Sequence, residues 1–148
     1  MQIKKQIKRQ IFVAIAIILN EKNEVLLGKR HDPRNRGMHG RWEFPGGKVE
    51  FGEHPGQTVK REVREEIAAE VEISRLLNVY SWFHPDRPHI QVVIMAYIVH
   101  LTTKSPEPKP NCAEIKEVIW MNTQQALSAH IIDHNKLIFK ELQNVLHI

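Results

Sequence analysis

A chain of 148 residues that is 42% hydrophobic and 26% charged has the size and balance of one folded domain with its own core. That balance sets aside disordered and fibrous classes. The net charge of +4 attracts phosphorylated small molecules as readily as nucleic acid, and the basic run Lys4, Lys5, Lys8, Arg9 has no interleaved aromatics, so no specific nucleic-acid platform is expected. The single cysteine, Cys112, cannot close an intramolecular disulfide and suits a reducing cytoplasm.

The basic run leads into Ile11 to Leu19, which imitates a signal peptide. No small-residue cleavage site follows, and the apolar run is too short to span a membrane. Its continuous β-branched character predicts a central strand buried on both faces. A turn at Asn20 to Asn23 and a second strand, Val25 to Arg30, suggest a hairpin. His31 to Gly40 is a polar loop with two arginines and two histidines, either solvated or a flap that helps hold phosphates or a base.

Arg41 to Gly47 reads as a short strand breaking into a glycine turn. A helix is expected from about His54 to Ala68, with Pro55 in its first turn. Val59, Val63 and Ile67 recur every fourth position and predict the core-facing edge. Beside them, at about 100° per residue, Glu62, Glu65 and Glu66 fall within an arc of roughly 100°. Carboxylates packed this closely repel one another unless a cation neutralises them, and hard divalent ions such as Mg²⁺ do so with oxygen ligands.

Val71 to Phe83 and Ile90 to Leu101 read as two long strands. His84 and His89 flank the Pro-rich turn between them, which reads as a surface turn in the absence of further soft ligands. Lys104 to Pro110 is a stiff, extended loop. Glu114 to Met121 is a final strand, Thr123 to Ala129 a short helix, and Asp133 to Leu146 a longer one. In the last helix Leu137, Ile138, Glu141, Leu142 and Val145 form a mostly apolar stripe, and Asp133 is a plausible N-cap. No repeat or linker divides residues 1–148, so a single domain is expected, of α/β (α+β) class, with a mixed sheet between helices.

Gly47, five residues, Glu53, seven residues, Arg61-Glu62-Val63, one residue, Glu65-Glu66 resembles the Nudix box, and the preceding WEFPGG resembles the lead-in of MutT-type members. The order of elements is also similar to the Nudix fold. The box of that family closes with a glycine where this chain has Ala68. An alanine held in the left-handed conformation there would cost on the order of 1 kcal/mol, or the helix stops elsewhere.

The resemblance implies hydrolysis of a nucleoside diphosphate linked to another group, with Mg²⁺, or Mn²⁺ as a substitute. It implies metal binding by Glu62, Glu65, Glu66 and the Gly47 carbonyl, with Glu53 supporting the metal or the helix and Arg61 orienting a carboxylate. A further glutamate from outside the box is expected, Glu114 ahead of Glu117 and Glu107. Glu62 is favoured as general base, with the choice among the glutamates open. Arg30 would face phosphates, Asn135 would read a purine edge, and Trp42 and Phe44 would stack a base or pack in the core.

The first functional expectation is cleavage of a nucleoside triphosphate, canonical or oxidised, to monophosphate and pyrophosphate. The second is an ADP-ribose or nucleotide-sugar pyrophosphatase, since Pro85, sixteen residues past the box, resembles a mark of ADP-ribose-cleaving members. A silent nucleotide-binding module is the third, disfavoured because every box glutamate is present. The partner is a small nucleotide, with a homodimer compatible with the long apolar strands.

Overall fold

The computed structural model describes residues 6–148. Lys4 and Lys5 of the basic run lie outside them. In chain order the elements are β1 (Arg9–Ile18), β2 (Val25–Arg30), β3 (Trp42–Glu43), β4 (Gly46–Lys48), α1 (Pro55–Ile67), β5 (Val71–His84), β6 (Arg87–Leu101), β7 (Ile115–Met121), α2 (Thr123–Ser128) and α3 (Asp133–Leu146). No helix among the described residues is long and apolar enough to cross a membrane.

The strands form two sheets, ordered β4-β1-β6-β5 and β3-β2-β7. β1 runs parallel to β6 and antiparallel to β4, and β5 pairs antiparallel with β6, so the larger sheet is mixed. The expected hairpin between the first two strands is corrected. β1 is paired along both edges, which leaves no edge for β2, and only a single antiparallel bridge, Leu19 to Val25, links the two. β2 pairs instead with β3 and β7.

From Ala14 to Ile18 β1 is buried on both faces, as its apolar run predicts; Ile11 to Val13 depart from that expectation, with Phe12 46% exposed. Ile15 and Ile17 join Leu27, Ile94, Ile138, Phe139 and Leu142 in one core. Ala14, Ala16 and Ile18 meet Val59, Val63 and Ile67 of α1, with Leu26, in the other. Residues alternate across a strand, so one strand serves both layers. The result is a sheet layer with α1 on one side and α2 and α3 on the other.

The helix ends decide where the site residues stand. The His54 side chain accepts the Gly56 N–H at 3.0 Å and Gln57 returns a bond to the His54 N–H, a reciprocal cap with Pro55 at the first position. At the other end Ala68 takes φ 55° and ψ 31°, and its N–H bonds to the Arg64 carbonyl at 3.0 Å. Alanine therefore occupies the left-handed position that favours glycine, at a cost of about 1 kcal/mol.

The Pro-rich loop covers that same end. Lys109 N–H donates to the Ile67 carbonyl at 3.0 Å, Asn111 N–H to the Glu66 carbonyl at 2.9 Å, and the Asn111 amide to the Arg64 carbonyl at 3.0 Å. Carbonyls that a helix end leaves unpaired are thus satisfied from outside. For α3 the expected cap is corrected: Ile132 is the N-cap, without a side-chain bond, and Asp133 is the first helical residue, paired with Lys136 at 3.1 Å. Leu137 of the expected stripe is 59% exposed, and Phe139 is buried in its stead.

Candidate active site

The apolar edge of α1 is fully buried, which turns the neighbouring acidic edge toward the β4 glycine turn. The turn is pinned to β1, with Ala16 N–H donating to the Pro45 carbonyl at 2.8 Å. A Cβ at Gly46 would lie 2.4 Å from the Ala14 carbonyl oxygen, and one at Gly47 would lie 2.4 Å from Glu62 Oε1. At Gly46 the obstacle is β1 backbone, which only glycine accommodates; at Gly47 it is the Glu62 carboxylate, which a side chain would push away from the turn. Gly46 N–H donates to Glu66 Oε1 at 3.1 Å, which fixes that carboxylate beside the turn.

Arg61 sets the other carboxylates. Its Nε and Nη2 hold Glu53 at 2.8 and 3.0 Å, its Nη1 holds Glu62 Oε1 at 2.8 Å and Glu65 Oε2 at 3.3 Å, and its Nη2 also reaches the Lys48 carbonyl at 3.1 Å. A planar fork with five donors suits such a hub. The bond from Arg61 and that from the Thr58 hydroxyl hold the Glu53 carboxyl down at about 2.

Glu66 stands in the opposite condition. Burial pushes its carboxyl well above the ordinary range, the Gly46 N–H only partly offsets this, and the neighbouring charges of Glu43 and Glu62 push it further. An enclosed carboxylate beside two others, answered by one backbone N–H, is a place that a bound cation would stabilise. The donors are all oxygen and the glycine turn leaves room for a backbone carbonyl, so the residues fit a hard divalent ion. Among the described residues no three His, Cys, Asp or Glu side chains are gathered closely enough to enclose a metal. An ion there would take water and phosphate oxygens beside the protein's own, as Mg²⁺ commonly does.

These groups form one end of a cleft of about 620 Å³ whose lining includes Gly46, Gly47, Glu62, Glu65, Glu66, Arg30, Glu43, Phe44, Glu114 and Asn135. The cleft brings together the expected site residues except Arg61, Trp42 and Glu53, the last of which is held outside the lining by Arg61 and the Thr58 hydroxyl. Arg61 acts on the lining through Glu62 and Glu65. Trp42 is half-buried outside the lining, with Lys29 Nζ 5.6 Å from its ring and its backbone tied to His130 and Ile132. Phe44 is only 4% exposed and stacks on Phe139 at 4.8 Å, so it is core and cleft floor at once.

Of the three glutamates considered outside the box, only Glu114 lines the cleft. It sits just before β7, and its carbonyl accepts His31 N–H at 2.7 Å. Glu117 pairs with Lys29 at 3.7 Å. Arg30 reaches Glu43 and Asp32 at 3.5 and 3.4 Å, while its Nε is buried without a partner. From the polar loop only Met38 lines the cleft; Arg34 and Arg36 are exposed elsewhere. His84 bonds locally to Asp86 N–H, as a surface turn requires.

Three lining residues were not expected. Glu43 is a carboxyl pushed up by burial and drawn back by Arg30. Trp82 and His134 stack on each other with centroids 4.9 Å apart and planes 21° apart, and burial lowers the His134 pKa, favouring the neutral ring. Next to them Asn135 is 4% exposed, and no hydrogen bond among the described residues uses its side-chain amide. Glu43 and His134 were findable, since each adjoins a residue already singled out.

The family model described as NUDIX domain matches residues 8–141. An 8-oxo-dGTP diphosphatase of Proteus vulgaris is 39% identical over 80 residues, 54% of this chain and 70% of that protein. An ADP-ribose pyrophosphatase of Methanocaldococcus jannaschii is 32% identical over 127 residues, 85% of this chain and 70% of that protein. The crystal structure of a MutT protein from Methanosarcina mazei Go1 superposes with a TM-score of 0.78 at 24% identity, covering 95% of this chain and 97% of that one. The match over nearly the whole chain, together with the acid-lined helix and its glycine turn, identifies the protein as a member of the Nudix family of hydrolases, which act on nucleoside diphosphate-linked substrates and generally need a divalent metal.

Proposed function

We propose that the protein is a MutT-like, Mg²⁺-dependent pyrophosphohydrolase that cuts a nucleoside triphosphate to monophosphate and pyrophosphate, with Mn²⁺ as a substitute ion. One observation carries this reading: a single cleft has an anionic, oxygen-lined end on α1 and an aromatic, amide-bearing end at the start of α3. Phosphates suit the first once a cation is present, and a base suits the second.

Glu62, Glu65, Glu66 and the Gly47 carbonyl would hold the ion, which supplies charge to offset the phosphate oxygens. Arg61 keeps Glu62 and Glu65 in place through Nη1. Glu62 takes a proton from the attacking water as its oxygen bonds to phosphorus, the bridging P–O bond breaks, and pyrophosphate departs. Glu65 and Glu114 are the other carboxylates lining the cleft that can share this proton transfer. Arg30 contributes positive charge on the same lining, and the Asn135 amide offers a donor and an acceptor to a base edge.

A second reading, cleavage of ADP-ribose or a nucleotide sugar, is supported by the 32% identity to the Methanocaldococcus enzyme over 127 residues. Pro85 adds nothing to it, since it is exposed in the turn between β5 and β6 and is not among the cleft lining. A panel of canonical and oxidised nucleoside triphosphates, ADP-ribose, nucleotide sugars and dinucleoside polyphosphates, each with Mg²⁺ and with products identified, tests the choice. Monophosphate and pyrophosphate from a triphosphate are the expected products. Turnover of ADP-ribose with every triphosphate inert would reverse the assignment.

A further inference from the structure

α3 carries the base end of the cleft, and its polar ties lie at the Arg41–Asp133 pair at 3.5 Å, at Gln143 Nε2 to Thr123 Oγ1 at 3.3 Å, and, toward β5, at Glu141. Ile138, Phe139 and Leu142 fix its depth in the core. Apolar burial is non-directional and tolerates small rotations and slides, whereas hydrogen bonds fix direction. His134 and Glu141 are seven residues apart and lie on one stripe of the helix, two turns from each other. Both face β5. His134 stacks on Trp82, and Glu141 accepts from the Tyr80 hydroxyl through Oε2 and from the Asn78 amide through Oε1, the latter at 2.9 Å. Both carboxylate oxygens are thus committed to β5. The Tyr80 hydroxyl is held protonated, its pKa raised by burial and by the Glu141 charge.

We propose that Glu141, with Tyr80, is a positioning clasp for base recognition: it sets the tilt of α3 on β5 and so the spacing of Trp82, His134 and Asn135 at the base end of the cleft. The clasp touches no part of the acidic wall, which is fixed separately by Arg61 and the glycine turn. Glu141 lines no part of the cleft itself. The proposal rests on the reading of the cleft as a nucleotide site.

The signature is a split between substrates with and without a base. Glu141→Ala should raise KM for the preferred nucleoside triphosphate about tenfold while kcat changes less than about twofold. KM for methyl triphosphate, which has the phosphates and no base, should stay at the wild-type value. Tyr80→Phe should raise the nucleotide KM in the same direction, and the double variant should be no worse than Glu141→Ala alone, because the two act as one unit.

Glu141→Gln, whose amide oxygen can still accept from Tyr80, should recover most of the loss; if Glu141→Ala does not fold, Tyr80→Phe carries the test, with its own rise in nucleotide KM and unchanged KM for methyl triphosphate. An unchanged nucleotide KM in Glu141→Ala and Tyr80→Phe would overturn the clasp. So would an equal rise for methyl triphosphate. If the wild-type protein turned over no triphosphate at all, the proposed function itself would fail, whatever the variants did.

Discussion

The two ends of the cleft are built on different principles. At the acidic end every position is over-determined: α1 is capped at both termini, Gly46 and Gly47 are shut in by atoms 2.4 Å from where a Cβ would sit, and Arg61 ties three carboxylates. At the base end Trp82, His134 and Asn135 come from two elements joined by a stack, the Glu141 bonds and apolar burial. In the function we propose, the first end serves chemistry, which tolerates little misplacement. The second serves recognition, which can vary while the chemistry is kept.

That contrast can be broken at its strongest point first. Glu66→Gln should lower Mg²⁺-dependent kcat by about 10³-fold or more. The amide oxygen still accepts Gly46 N–H and the like-charge repulsion falls, so circular dichroism and the melting point should show the fold retained. Near-normal turnover would mean that Glu66 is structural. Gly47→Ala should cost about 10²-fold in kcat, because the new methyl displaces the Glu62 carboxylate from the turn. Wild-type rates there would show that the close approach carries no catalytic role.

Sharpening the contrast requires the other end. Asn135→Ala should raise KM for the nucleotide about tenfold and leave kcat within about twofold, as expected for lost base hydrogen bonds. A fall in kcat with unchanged KM would move Asn135 into the chemistry. The smallest effect is on stability alone. Ala68→Gly relieves a left-handed alanine and should add about 1 kcal/mol, read as a rise in Tm of roughly 2–4 °C with unchanged kinetics. A lower Tm would show that the strain is answered elsewhere.

Much of the acidic end was legible because a helix converts spacing into direction. Residues 59, 63 and 67 fixed the buried edge, and the carboxylates at 62, 65 and 66 followed from it. The base end was less so. On β5 the side-chain alternation is shifted by irregularities between Ile73 and Arg75, Leu76 and Asn78, and Phe83 and His84, so counting from either end does not reveal which way Trp82 points. Asn135 was visible only through resemblance. The hairpin failed because a strand paired along both edges cannot also take its sequence neighbour, and that pairing depends on residues 46–48 and 87–101 far along the chain. The Asp133 cap failed by one residue, since Ile132 already has the extended backbone that precedes a helix.

The proline-rich segment before β7 has a consequence for how the protein opens. Its amides at Lys109 and Asn111 are spent on the terminal carbonyls of α1, and three residues later the same strip of chain delivers Glu114. Lifting that strip would unwind the turn that holds Glu66 and withdraw Glu114 in one movement. Both carboxylates thus depend on one strip of chain, and deuterium uptake at Asn111 and at the last turn of α1 should rise together rather than in sequence.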